Sequence, residues 1–475
     1  MRETSSPIRT RAVVIGGSLA GMLAASAVRD SVDAVDILEA HPVPDGPKPR
    51  KGVPQAAHMH ILLSGGAEAI NSLLPGTIDR LLAEGANYVP MTTGMVLYSP
   101  EGWYRRWKND THYLIAGSRD LTDHVIRQQV LKDPRVTLHP ATWVEGLRGD
   151  HRRVTGVRIR SADGQESTLE ADLVIDASGK GTRTPRWLSE LGVRGLVEES
   201  IDSGLSYASR LYRAPVGTRG WPFVSVQADP RLPATSGSGN ILPIEHDRWH
   251  VSLIGPPSGA PSGSPDNFEP YARSLRHPVV ADLLRQAQPL TDVTVSHSTA
   301  NKRHYYEGLK TWPEGLVAVG DSVAAFNPVY GHGMSVAALG AASLRAELAR
   351  KGLTDGLARR AQRAISRSVE LAWSLAIGQD IRYPNAQGKR ATLADRLLQR
   401  YVSRLSHTAT GNFRVATAMT EVLTLQSSPA CLFRPSVLTA AVIGPLRPQL
   451  SQPTLTPHEL ELLKRATGGQ PAFIE

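Results

Sequence analysis

The chain has 475 residues, too many for one small domain and enough for a large core or two to three modules. Hydrophobic residues make up 41% and charged residues 20%, a soluble, globular balance. The single cysteine, Cys431, excludes an internal disulfide or a cysteine metal cluster and reads as a buried structural thiol. The net charge of +9 is scattered, with neither zinc-finger spacing nor a basic tail, so no nucleic-acid partner is expected.

The basic excess reads as a solvated surface, or as steering for a phosphate-rich cofactor or an anionic substrate. No apolar run approaches the roughly 18 residues of a membrane span, and no secretory segment is evident. The expectation is a cytoplasmic protein without stable membrane insertion.

In chain order, the apolar, β-branched run at 12–15 predicts a buried strand, and "AGMLAASAVR" at 20–29 a small-residue helix. "DAVDILEA" from Asp33 predicts a second strand ending at Glu39. Strand, glycine turn, helix and strand make one βαβ unit and imply a parallel sheet. A loop follows at 42–54, then the helix "GGAEAINSLLPG", stopped by Pro75 and Gly76. Residues 95–115 alternate and suggest antiparallel strands joined by the "SPEG" turn. Their aromatics, Tyr98, Trp103, Tyr104, Trp107 and Tyr113, suit either an apolar pocket or cross-strand packing, and Trp221, Phe223 and Trp249 pose the same choice.

"SRDLTDHVIRQQVLKD" predicts a helix capped by Ser118. Residues 152–161 and 167–176 flank the hairpin signal "SADGQ", the second strand running on into "LVIDASGKG". Strands dominate from 203 to 255, and "LVAV" at 316–319 is one more, followed by "GDS". A small-residue helix begins near Gly333, and residues 355–380 and 386–426 read as helical.

The turn "GGSLAGM" admits two readings. A nucleophile elbow, G-x-S-x-G, would need glycine where Ala20 stands. A dinucleotide fingerprint would have glycine where Ser18 stands. Glu39, 18 residues past Gly21, favours the second, because an acid at the second strand's end bonds ribose hydroxyls. In that reading Gly16 permits the tight turn, Gly21 lets helix and strand touch, and Ser18 is small enough beside a pyrophosphate. An acid at 39 suits an adenosine without a 2′-phosphate.

Together with "DLVIDASG" at 172–179 and "LVAVGDSVAAFNPVYGHGMS" at 316–335, this turn resembles the group A flavoprotein monooxygenases, with the para-hydroxybenzoate hydroxylase fold. The resemblance implies an α/β protein: an FAD-binding Rossmann-like domain, an inserted, mainly antiparallel β-sheet substrate domain and a helical C-terminal region. The expected segments are 8–75, 118–200 and 290–350 for FAD, 76–117 and 201–289 for substrate, and 351–475 for the helical region. The resemblance assigns Asp321 to the ribityl chain of FAD. It lays Pro328, Gly331, Gly333 and Met334 along the pyrophosphate and isoalloxazine, with the backbone amide of His332 beside them. Arg119 matches an FAD-contacting arginine, and Arg50 and Lys51 sit where the cofactor loop turns back toward the flavin. His58 or His60 reads as a neighbour of the flavin rather than a metal ligand, and no metal is expected.

The segments 50–76, 207–215, 312–316 and 320–335 are further similar to bacterial polyether-biosynthesis polyene epoxidases of the monensin and lasalocid type. That implies epoxidation of an elongated, apolar polyene polyketide with molecular oxygen through a flavin C4a-hydroperoxide, with no side chain marked as catalytic. Ser178 stands where many group A flavoprotein monooxygenases carry aspartate. NAD(P)H is then the ultimate electron source, directly or through a separate flavin reductase. Alternatives in view are a flavin hydroxylase or oxidase of another natural product, and a redox-silent cyclase on the same fold. The "WxWxIP" stretch of flavin halogenases is absent.

Overall fold

Strand β1 (Arg11–Ile15) is central because its side chains are apolar on both faces: Ala12, Val13 and Val14 have no solvent exposure. The structure is a computed structural model that describes residues 10–232 and 237–467. Positions 8–9, 233–236 and 468–475 of the expected segments lie outside the described residues.

Helix α1 (Leu19–Val28) returns the chain to β2 (Ala34–Glu39), which pairs parallel to β1 with Val13 opposite Asp36. Helix α2 (Arg119–Val130) begins at Ser118, whose hydroxyl accepts from the Leu121 amide, as its N-cap position predicts. It leads to β3 (Val136–Pro140), outside β2. On the other side of β1 lie β4 (Leu173–Asp176) and then β5 (Leu316–Ala318). The parallel order is therefore β5-β4-β1-β2-β3. Glu39, Asp176 and Asp321 all fall at or just beyond carboxyl ends of these strands, where open α/β sheets bind ligands.

The expected strand 167–176 is corrected to two. Glu166–Glu170 stays in the antiparallel hairpin with Val154–Arg160, and Leu173–Asp176 joins the parallel sheet. The change of partner occurs at Asp172, whose amide donates to the Arg11 carbonyl while its carboxylate accepts from the Arg11 amide.

The second large sheet is mainly antiparallel. Ser206–Arg213, Arg248–Gly255, Ser238–Ile244 and Phe223–Val226 lie side by side, and Met95–Ser99 adds to the last of these in parallel. The 95–115 stretch is divided. Tyr98 faces Trp103 across a short antiparallel pair, but Tyr113–Ala116 joins Ile61–Leu63 and Asn87–Pro90 in another sheet. Tyr98 and Trp103 stack at 4.6 Å, and Trp221 lies 5.8 Å from Trp249, so packing is the outcome for these four. Thr294–Ser296, placed by sequence with the nucleotide segments, instead pairs with Tyr207–Ser209 of this sheet.

Helix α3 (Gly333–Lys351) packs on α1, and α4 (Leu357–Asp380) packs on α3. The helical stretch expected at 386–426 is broken into α5 (Leu393–Ala409) and α6 (Phe413–Leu423). The break falls at Gly411 and Asn412, and the Asn412 side chain caps α6. A last pair, α7 (Pro435–Ile443) and Pro457–Thr467, follows. Cys431 is buried, as expected. Among the described residues no helix is long and apolar enough to cross a membrane, and no His/Cys/Asp/Glu group could hold a metal ion.

Asp176 ties the parallel sheet together where its turns meet. Its carboxylate has no solvent exposure and accepts from the Ser178 amide and from the hydroxyls of Ser178, Thr182, Thr184 and Ser322. Asp176→Ala would strand several buried donors and is expected to cost about 3 kcal/mol or more of folding free energy. Urea unfolding of the FAD-free chain measures this, with Asp176→Asn retaining part of the loss.

Candidate functional site

The turn after β1 is shaped by crowding. Gly16 has φ +99°, and a Cβ there would lie 2.6 Å from the Ala177 carbonyl oxygen. A Cβ at Gly21 would lie 1.8 Å from the Gly16 oxygen, so helix and strand meet at backbone contact. Ser18 is the N-cap of α1 but makes no capping bond, so the first-turn amides of α1 have no side-chain cap. Such amides, at the positive end of the helix dipole, suit an anion.

Around this turn runs a chain of alternating charges. Glu39 accepts from the Gly17 amide at 2.9 Å and from Arg50 at 2.8 Å. Arg50 also donates to the Gly17 carbonyl and lies 3.8 Å from Asp123. Asp123 accepts from Arg119 at 2.7 Å, and Arg119 in turn donates to the Ser18 hydroxyl at 3.0 Å. All four ionic side chains are buried, each paired with its opposite. Lys51, the other residue expected here, is exposed and outside this network. Asp123 carried no motif; its only trace in sequence is its place four residues after Arg119 on one helix face.

Asp321 feels the charges of both Arg119 and Lys180. Burial raises its carboxyl, and both cations oppose that shift. Among the described residues its carboxylate has no hydrogen-bond donor, unlike Asp176 nearby. Lys180 also donates to the Ser298 hydroxyl at 2.9 Å. The turn bearing Asp321 is fixed by Ser322, whose hydroxyl accepts from the Gly179 amide and donates to Asp176. Ser178, the departure noted in the sequence, folds onto Asp176.

Pro328–Tyr330 forms a single 3-10 turn, and Gly331 follows at φ +67°. A Cβ at Gly331 would meet Ile61 at 2.5 Å. Helix α3 then begins at Gly333 with no side-chain cap, leaving its first amides for a partner. Met334 is buried under the turn. His332 is also buried; its ring donates to the Leu423 carbonyl, and its own carbonyl accepts from the Val336 amide. Behind the loop, Asp380 accepts from Asn301, Asn327 and Tyr330, and Tyr207 donates to Asn327. This cluster was not legible in sequence, because its members are scattered from Asn301 to Asp380.

The sheet strands reaching this loop carry neutral groups. His58 shares a hydrogen bond with Ser209 at 2.9 Å, and Ser209 with Ser252 at 2.8 Å. Burial lowers His58 and holds His60 at about 3; Arg119 adds to the lowering at His60, while its bond to the His58 carbonyl opposes it. Trp107, which lies in no strand, packs against Phe413 rather than across a sheet.

These residues fit a flavin dinucleotide. A preformed glycine cradle, a carboxylate without a hydrogen-bond donor among the described residues, and two uncapped helix starts suit pyrophosphate, polyol and a carbonyl-bearing ring edge. A family model described as FAD dependent oxidoreductase matches residues 12–183. The chain is 32% identical over 391 residues to Protein Rv3254 of Mycobacterium tuberculosis, covering 80% of this chain and 81% of that one. It is 27% identical over 351 residues to a kynurenine 3-monooxygenase of Salinispora arenicola, covering 69% and 70%. Among solved structures, the flavin-dependent brominase Bmp2 superposes with a TM-score of 0.63 at 17% identity, covering 91% of this chain and 97% of that one.

The fold and site define an α/β FAD-binding protein of the architecture found in flavin monooxygenases. The chain belongs to the FAD-dependent oxidoreductases.

Two measurements test the site. Ser18→Gly is expected to keep FAD, whereas Ser18→Leu crowds the cradle, and Arg119→Gln weakens FAD binding about tenfold or more; flavin fluorescence titration of the apoprotein reads all three. His250 supplies a pH test. Burial, with His60 and His58 adding to it, lowers its imidazole from an ordinary 6.5 to about 3. Below pH 6.5 the unfolded chain therefore binds a proton that the folded chain refuses. Stability is full above that value and falls as pH drops toward 3, by about 1.4 kcal/mol per pH unit from this residue. Urea midpoints between about pH 7.5 and 5 should show a shallower slope in His250→Gln.

Proposed function

We propose that the protein is an FAD-dependent monooxygenase that epoxidises alkenes of a linear, apolar polyene polyketide. The observation that carries the reading is a preformed flavin cradle accompanied by the buried, uncharged hydrogen-bond chain of His58, Ser209 and Ser252. Asp321, Arg119, Ser18 and the start of α3 would hold FAD. Bound and reduced, FAD supplies the activation of O2 to an electrophilic oxygen donor.

The protein's share is then to bind, orient and exclude water. The hydroxyls of Ser209, Ser252 and Tyr207 sit among buried strands, and burial pushes the Tyr207 phenol well above its ordinary value. A neutral alkene needs no base to react, so a wall of uncharged hydroxyls and imidazole is adequate to it. A phenol would need deprotonation, for which His58, with its basicity lowered by burial, is poorly suited. The sequence segments similar to polyene epoxidases support the substrate class. Electrons come from NAD(P)H, directly or through a partner reductase. Ser178, committed to Asp176, is not placed to take over the role of the aspartate it replaces.

The likeness to a kynurenine 3-monooxygenase favours a second reading, hydroxylation of another natural product. One experiment separates them. Purified enzyme with FAD and a reductant is incubated with a linear polyene under isotopically labelled O2. The expected product carries one labelled oxygen, and NMR places it in an oxirane. A labelled hydroxyl instead supports hydroxylation. No labelled product, with cyclisation persisting under anaerobic conditions, overturns both in favour of a cyclase.

A further inference from the structure

Nine of the fourteen large apolar residues that stand exposed among the described residues fall between Leu393 and Leu446. On α5, Leu393, Leu397 and Leu398 form one stripe, and Leu393 is 74% exposed. One turn on, Tyr401 stacks on exposed Phe433 at 5.2 Å. On α7, Leu438, Val442 and Ile443 make a second stripe, with Val442 82% exposed. The helices are joined, since Arg404 donates to the Ala441 and Val442 carbonyls. A patch of this kind on a folded chain marks an interaction surface.

Charge identifies the occupant. Residues 389–447 hold eight lysines and arginines against two acids, Asp395 and Glu421. Both acids are engaged within the fold. Asp395 closes the capping box of α5 with Thr392, and Glu421 lies 3.8 Å from Arg434. Arg390, Arg396 and Arg400 are exposed beside the leucine stripe, and Arg447 beside Leu446. A second copy docked through the same face would set these cations against their equivalents. Protein docking sites centre on tryptophan, tyrosine and arginine anchors, but Phe433 is the patch's only exposed aromatic among the described residues. Leucine, valine and isoleucine flanked by arginines match a helix lying in the headgroup plane.

We infer that the α5–α7 face docks reversibly on an anionic lipid surface. The geometry is that of a protein lying on the bilayer, with no span crossing it. A cavity of about 650 Å³, bounded by Trp107, Phe413, Arg447, Ile443 and Leu446, opens at the rim of the same face, and the last two residues belong to both. The inference does not depend on the reaction catalysed.

Vesicle flotation with the full-length, FAD-loaded protein tests it. Co-flotation is expected with phosphatidylglycerol vesicles and not with pure phosphatidylcholine, and is lost in high salt. Arg396→Gln and Arg400→Gln should each lower partitioning roughly fivefold. Val442→Ser combined with Ile443→Ser should lower it further, with FAD content unchanged as the control for folding. Absence of lipid-dependent flotation overturns the inference, as does equal flotation of all variants. So does light scattering that finds a dimer which the valine and isoleucine substitutions convert to monomer, since the face would then belong to a second copy.

Discussion

The flavin site depends on one buried carboxylate whose recorded hydrogen bonds all lie inside the protein. Asp176 ends β4 with no solvent exposure, and its donors come from two separate turns, Ser178–Thr184 and Gly320–Ser322. A charged group in such a position is tolerated only when its lone pairs are filled. Filling them fixes the second turn against the first, and the second turn carries Asp321. The neighbouring carboxylates thus divide the work. Asp176 spends its bonding capacity inside the protein, and Asp321 keeps its own for a partner.

The same economy governs the other side of the cradle. Glu39, the acid expected to meet ribose, is already bonded to Gly17 and Arg50. Arg50 is bonded back to the glycine turn, and Asp123 joins it to Arg119. Each arginine is buried beside a carboxylate, so its desolvation is offset locally. The cradle carries its positive charge on fixed side chains and on two helix starts, leaving little to rearrange when a phosphate arrives.

Much of this was legible in the sequence where one residue type had one physical use. Gly16 and Gly21 sit where no Cβ fits, and β1 is apolar on both faces because it is covered on both. Ser118 caps α2 because a helix start needs an acceptor there. The reading was weaker where a residue's role depends on distant partners. The aromatic run from Tyr98 to Tyr113 read as one group, yet it feeds different sheets and, through Trp107, the helical tail. The hairpin strand after "SADGQ" read as continuous, because residues 167–176 keep their strand character while they change partners at Asp172. Asp123 and Asp380 bear no motif, since each acts through contacts that only the fold creates.

The helical tail is part of the site's mechanics. Helix α6 starts at Phe413, on the cavity wall, and ends at Leu423, whose carbonyl takes the hydrogen bond of the His332 ring. The next residue, Thr424, accepts from the amide of Gly65 in the helix Ser64–Leu73, which packs on α3. The loop that starts α3 is therefore held from the tail as well as from Asp380. Helices α5 and α7 pack directly on α6. Packed helices thus connect their exposed faces to His332, the residue between Gly331 and Gly333. The apolar tail surface and the loop before α3 are therefore joined by direct packing through α6.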